Sequence, residues 1–235
     1  MIKLIFNICL FFLIPLITFS QEIKEEENQA KTLFGFQYSL VYPLNIVQNN
    51  DILQQVDSTT LLEINNKRSY MFGMEIRQYF THIFSLQTGI NFIRRNYDNT
   101  VTNDSISTSR LQFIGYEIPC MLLAYLRLTK NIYMDNAVGF SANFYPSDVV
   151  IPHFYGMRKR WTNIGLLANV GWEFRNTNSG IFYLGMSYQY QFKYMFQTLY
   201  FKNDVTGTEN SRNNIGGSYF SLNFKYFFPQ NSKKR

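Results

Sequence analysis

Residues 219–228 read Tyr-Phe-Ser-Leu-Asn-Phe-Lys-Tyr-Phe-Phe, and their alternation decides the fold. Phe220, Leu222, Phe224, Tyr226 and Phe228 share one side of an extended chain. Tyr219, Ser221, Asn223, Lys225 and Phe227 share the other. Successive side chains of a β-strand point to opposite faces. The segment is therefore a strand with one apolar face and one that is mostly polar or small.

The same signature recurs back along the chain. It predicts eight strands, at about 33–43, 69–80, 83–96, 110–128, 131–145, 161–175, 180–195 and 217–228. Most exceed the usual 5–6 residues of a globular strand and suit a tilted membrane strand of roughly 9–11 residues in hydrocarbon. Pro119 removes a ladder donor from the fourth strand, so a bulge or an unpaired end is expected nearby. Connections alternate in length. Thr81-His82, Leu128–Asn131 and Asn176–Ser179 are short; Asn45–Arg68, Tyr97–Ser109, Pro146–Arg160 and Gln197–Gly216 are long. Short turns at one end and long loops at the other is the pattern of an outer-membrane barrel with both termini periplasmic. An even strand count closes the sheet and removes its edges, as lipid requires.

Composition agrees. The chain is 46% hydrophobic, 18% aromatic and 16% charged, against about 25% charged in typical soluble domains. The apolar content excludes a disordered chain. A soluble barrel of the lipocalin type would turn the apolar face inward. The glycines oppose this: Gly35, Gly73, Gly89, Gly115, Gly139, Gly165, Gly171 and Gly185 all lie on the polar face. An eight-stranded barrel has just enough interior for side chains, so small residues belong inside and the aromatic face belongs in lipid. The expected fold is all-β: an eight-stranded antiparallel up-and-down transmembrane β-barrel.

Residues 1–20 carry Lys3, an apolar run from Leu4 to Ile17 and Ser20 at the exit, the make-up of a secretory signal peptide. The expected division is a signal at 1–20, a polar periplasmic lead at 21–32, the barrel at 33–228 and a basic periplasmic tail at 229–235. Removal of Lys3 lowers the net charge from +6 to +5. The remaining basic residues are scattered and the chain is exported, so nucleic acid is not an expected partner.

Gly115-Tyr116-Glu117-Ile118-Pro119-Cys120-Met121-Leu122-Leu123-Ala124-Tyr125 resembles the fourth-strand segment of the PorT-like outer-membrane β-barrel family of Bacteroidetes: a Tyr, a Glu-Ile-Pro triplet, an aliphatic run and a closing Tyr. Cys120 and Ala124 depart from that pattern. The resemblance implies an OmpA/OmpX-like eight-stranded architecture and a Gram-negative outer-membrane location. One branch of the family serves a secretion system. The alternating strand ending at Phe228 also looks like the C-terminal recognition signal of outer-membrane barrels, which makes the barrel-assembly machinery the expected partner during insertion.

Candidate chemistry is sparse. The lumen face is expected to hold Glu75, Arg77, Arg95, Glu117, Arg127, Asp135, Glu173, Arg175, Lys193 and Lys225. Buried charges must be paired or stay wet, so these form either an interior network that plugs the barrel or the lining of a narrow ion path. Arg127 and Asp135 flank one short turn and are expected to pair across it. The third long loop carries Arg158, Lys159 and Arg160 beside Trp161, candidates for contact with membrane lipids and the phosphates of lipopolysaccharide. His153 with Ser147 and Asp148 is the sole arrangement suggesting a lipid-modifying enzyme, without a Gly-x-Ser-x-Gly elbow. His82 and His153 fall at opposite ends, so neither a metal site nor a cofactor is expected. The expected role is structural or interactive, through four long extracellular loops; narrow transport, lipid modification and secretion-system service are the alternatives.

Overall fold

The structure is a computed structural model and describes residues 31–43, 52–55, 60–102, 106–151, 154–176, 178–201 and 209–229. The expected signal peptide, residues 21–30 of the lead and residues 230–235 of the tail lie outside the described residues. In chain order the strands are β1 (Thr32–Pro43), β2 (Ile52–Gln55), β3 (Leu61–Tyr79), β4 (Phe84–Thr102), β5 (Ile106–Arg127), β6 (Ile132–Phe144), β7 (Asp148–Ile151), β8 (Phe154–Arg158), β9 (Thr162–Asn176), β10 (Gly180–Gln191), β11 (Phe196–Phe201), β12 (Glu209–Ile215) and β13 (Tyr219–Phe227).

Eight of them form a closed antiparallel ring. Its order is β1-β3-β4-β5-β6-β9-β10-β13, and β13 pairs back onto β1 from Gly35↔Phe227 to Pro43↔Tyr219. This is the expected up-and-down barrel. Side chains obey the two-residue period. On β1, Phe34, Phe36 and Tyr38 point outward and are about half exposed, while Gly35, Gln37 and Ser39 are buried. The outer face continues as Phe72, Ile114, Phe140, Ile164, Trp172, Leu184 and Phe224.

Interior width explains the inward glycines. Gly171 and Gly185 are opposite one another on β9 and β10. The Tyr183 ring lies across both, and a Cβ on either would collide with it. At the short-turn end, Thr81 Oγ1 accepts from the Phe84 amide at 2.9 Å and Thr129 Oγ1 from the Ile132 amide at 3.2 Å. Each hydroxyl mimics a backbone turn acceptor. No bulge forms at Pro119. Instead the β4–β5 ladder lapses between Thr88↔Cys120 and Asn91↔Glu117, and Thr88 Oγ1 donates to the Pro119 carbonyl at 2.8 Å.

The long connections differ from expectation. Residues 61–67, 97–102 and 106–109 fall in expected long loops, yet they continue β3, β4 and β5 beyond the ring as a wall with β2 on its edge. Where β3 leaves the barrel, Arg68 and Ser69 oppose a single residue of β4, a β-bulge between Lys67↔Asn96 and Tyr70↔Arg94. Bulges bend and twist a strand. The other two long connections supply β7, β8, β11 and β12, which pair as a separate sheet in the order β12-β11-β8-β7. The wall and this sheet enclose an apolar cluster of Leu62, Ile64, Tyr97, Val101, Leu111, Phe113, Phe154, Phe196, Tyr200 and Ile215. Phe113 is its centre, stacked on Tyr97 at 5.9 Å and edge-on to Phe196 at 5.0 Å. The long-loop end is thus a folded cap with a core of its own.

Two substitutions check the inside–outside assignment. Phe140 faces outward on β6, at 58% exposure. Phe140→Arg should cost about 2–4 kcal/mol in a refolding titration into lipid vesicles, as a cation does at the bilayer midplane. Gly139→Arg should fail to refold, because even a Cβ there meets the Cys120 backbone.

Candidate functional site: the barrel lumen

The lumen charges converge on Arg77. This residue is fully buried on β3. Its Nη1 donates to Glu173 Oε1 of β9, and Nη2 lies 3.6 Å from Asp135 Oδ2 of β6. Its Nε and Nη2 both donate to Gln87 Oε1, at 3.2 and 2.8 Å. The guanidinium plane lies 4.1 Å from the ring centre of Phe227, the last residue of the closing strand. One cation therefore touches β3, β4, β6, β9 and β13.

Arg175 stands next to it. Its Nε donates to Glu173 Oε2 at 2.9 Å. The guanidinium sits between the rings of Tyr133 and Tyr125, at 4.0 and 4.4 Å. Guanidinium over an aromatic face is favourable when water is excluded. These rings and Arg175 fill the mouth at the short-turn end. One level up, Lys225 Nζ approaches Glu75 Oε1 at 3.8 Å and lies 5.3 Å over the Tyr183 ring. Higher still, Glu117 accepts from the Tyr219 hydroxyl at 2.8 Å and from Asn91 Nδ2 at 3.3 Å. Arg95 donates to the Gly217 carbonyl at 2.9 Å and faces the Tyr219 ring. Neutral amides close the upper end: Gln189 Nε2 donates to Ser141 and Asn143, and the Tyr145 hydroxyl to Gln191.

Two expected members stand elsewhere. Arg127 is exposed at the rim, where its Nε donates to the carbonyl of Thr129 in its own turn at 3.2 Å. Its register partner is Tyr133; Asp135 faces Tyr125 and gives its carboxylate to Arg77. The expected Arg127–Asp135 pair does not form, because Arg127 has the inward parity but lies past the last lumen layer. Lys193 is exposed as well, since β10 ends at Gln191. Without those two, four cations (Arg77, Arg95, Arg175, Lys225) face four carboxylates (Glu75, Glu117, Asp135, Glu173). The lumen charge balances. The sequence reading overlooked the neutral partners Gln87, Asn91, Tyr125, Tyr183 and Tyr219, which share the inward parity of the charges.

Little space remains. The cavity between Glu75, Asn91, Glu117, Lys225, Tyr219 and Met121 is about 10 Å³, roughly what one water molecule needs. Glu75 Oε2 and Asn91 Oδ1 line it without a protein partner.

Neither a family model nor a curated protein matches the chain. Among solved structures it is similar to the outer membrane protein OprG from Pseudomonas aeruginosa. The TM-score is 0.57 at 10% identity, over 89% of this chain and 100% of that one. The fold is that of an eight-stranded transmembrane outer-membrane β-barrel. In such a barrel the aromatic outer face meets lipid, and the charge network lies where water is scarce.

The remaining candidates are dispersed. Arg158 is half-buried and braces the cap, donating to the Tyr145 carbonyl at 2.7 Å; Lys159 and Arg160 are exposed. Ser147 and Asp148 are exposed at the long-loop end, and His82 is exposed in a short turn at the other. His153 lies outside the described residues.

Removing Arg77 should leave two buried carboxylates short of a partner. Arg77→Met should cost about 3–5 kcal/mol by urea titration in bilayers. Arg77→Met with Glu173→Gln should cost less than the sum of the single variants. Arg127→Ala should stay within about 0.5 kcal/mol of the parent.

Proposed function

We propose that this chain is an outer-membrane barrel with a sealed lumen, whose role is structural or interactive and is carried by the folded cap. The observation that carries this reading is the lumen: a charge-balanced, side-chain-filled interior whose cavity beside Glu75 and Glu117 holds only about 10 Å³. A conducting pore needs a continuous wet path, and a selective one needs a net field. In this reading the short turns and both termini are periplasmic and the cap faces outward, the arrangement common to such barrels. The polar residues preceding β1 and the basic residues after Pro229 then form periplasmic ends, behind a cleaved signal at 1–20.

The Gly115–Tyr125 segment supports a place in the PorT-like family of Bacteroidetes. It lies on β5, with Glu117 turned into the lumen and Ile118 outward. The reading is non-enzymatic and needs no cofactor. Its partners are membrane lipids, lipopolysaccharide and, during insertion, the barrel-assembly machinery acting on β13 and the Phe228 that follows it.

Two experiments test it. In planar bilayers the purified barrel should show no steady conductance steps; a stable open level would overturn the sealed lumen. Protease added to intact cells should cut within residues 45–60 or 197–216 and leave the turns at 81–82 and 176–179 intact. The reverse pattern would invert the orientation.

A further inference from the structure

The cations at the long-loop rim divide into two groups. On the β3–β4–β5 side all but the exposed Arg68 are satisfied within the protein. Lys67 and Arg110 approach Asp98 at 3.5 and 3.6 Å. Arg94 donates to the Tyr70 hydroxyl at 2.8 Å and to Gln112 at 2.6 Å. On the β9–β10 side they are not. Arg160 and Lys193 are exposed, and neither forms an ion pair with another described residue. Lys159 joins them: its backbone amide donates to the Met195 carbonyl at 3.0 Å, which brings residues 159–161 beside 193–195. The Lys159 ammonium uses one donor on Asn214 Oδ1 at 3.1 Å and lies 5.7 Å over the Tyr194 ring. An ammonium has three donors, so two remain.

Around these cations the outer face is aromatic. Trp161 is 69% exposed and edge-on to Phe144 at 5.8 Å. Phe192 and Tyr194 flank Lys193 and are also exposed. Below them β9 and β10 continue the lipid-facing surface with Ile164, Leu166 and Met186. Tyr and Trp mark the headgroup level of a membrane barrel, so the three cations stand at the height of lipid phosphates. Asp148, a carboxylate on the adjoining cap sheet, is engaged by the Tyr155 hydroxyl.

We propose that Lys159, Arg160 and Lys193 bind the phosphates of one lipopolysaccharide molecule, with Trp161, Phe192 and Tyr194 against its acyl chains. A guanidinium fork meets phosphate bidentately, and lysine adds point charges beside it. Trp161 and Tyr194 supply apolar surface with a polar edge, the combination suited to a glycolipid at the interface. The site differs from the sequence expectation in its membership: Arg158 is half-buried and turned to the Tyr145 carbonyl, and the exposed Lys193 takes its place. The inference rests on the outward orientation of the cap only for which leaflet supplies the ligand.

The test is a titration of the full barrel in detergent, read by native mass spectrometry. Diphosphoryl lipid A, enzymatically dephosphorylated lipid A and inorganic phosphate are added in separate arms. Diphosphoryl lipid A should bind, and the dephosphorylated form at least tenfold more weakly. The variant Lys159→Gln/Arg160→Gln/Lys193→Gln should lose at least tenfold for the diphosphoryl form only. Lys130→Gln, an exposed cation at the short-turn end, should bind like the parent. Equal binding of both lipid forms, or an unaltered triple variant, would overturn the site. Full displacement of lipid A by millimolar inorganic phosphate would reassign it to free phosphate. An inverted orientation shows instead in the cellular protease pattern and leaves the titration unchanged.

Discussion

The seam between β1 and β13 is the contact on which the rest of the molecule depends. Nine register pairs, from Gly35↔Phe227 to Pro43↔Tyr219, turn an eight-stranded sheet into a ring. An unpaired backbone amide or carbonyl in hydrocarbon costs several kcal/mol, so an open edge here would be untenable along its whole length. Closing at eight strands also sets the radius. The lumen is then just wide enough for side chains, which is why Tyr183 lies over two glycines and why the cavity beside Glu75 and Glu117 is the size of one water.

A narrow, dry interior constrains charge. Each buried ion must find a partner within a few ångströms, and water can supply little of the deficit. The solution is layered: Arg77 and Arg175 with Glu173 and Asp135, then Lys225 with Glu75, then Arg95 near Glu117 with its Tyr219 and Asn91 donors. Tyrosine rings do much of the packing between the layers. Arg77 ties this interior to the seam itself, since its guanidinium covers Phe227 at the end of β13. Charge pairing in the lumen and closure of the ring are thus two aspects of one set of contacts.

Above the ring the constraint changes. Beyond the bulge at Arg68 and Ser69, strands β3 to β5 have neither lumen nor lipid to face. They bury Leu62, Tyr97 and Phe113 against the sheet built from the third and fourth long connections. The backbone groups that loops would leave to water are paired, and the cap gains an apolar core. Arg158, reaching the Tyr145 carbonyl, and Arg95, reaching the Gly217 carbonyl, join cap to barrel.

What the sequence determined by itself is local. The two-residue period of Phe220–Phe228 and its counterparts assigned strands, strand order and faces, because parity is a property of consecutive residues. It also placed the short turns and the inward glycines. The cap was partly legible: Leu62 and Ile64, or Tyr97 and Val101, repeat at period two, but polar Asn, Thr and Ser between them lack the contrast that lipid imposes. Partner choice was not legible. Arg77 and Glu173 are 96 residues apart and meet only because the ring brings β3 opposite β9. Arg127 and Asp135 are near in sequence and on the same face, yet stand at different heights, one at the wet rim and one in the dry lumen. Parity tells which side of the sheet a charge is on. Only closure decides which charge it faces, since that depends on the ring's circumference and stagger.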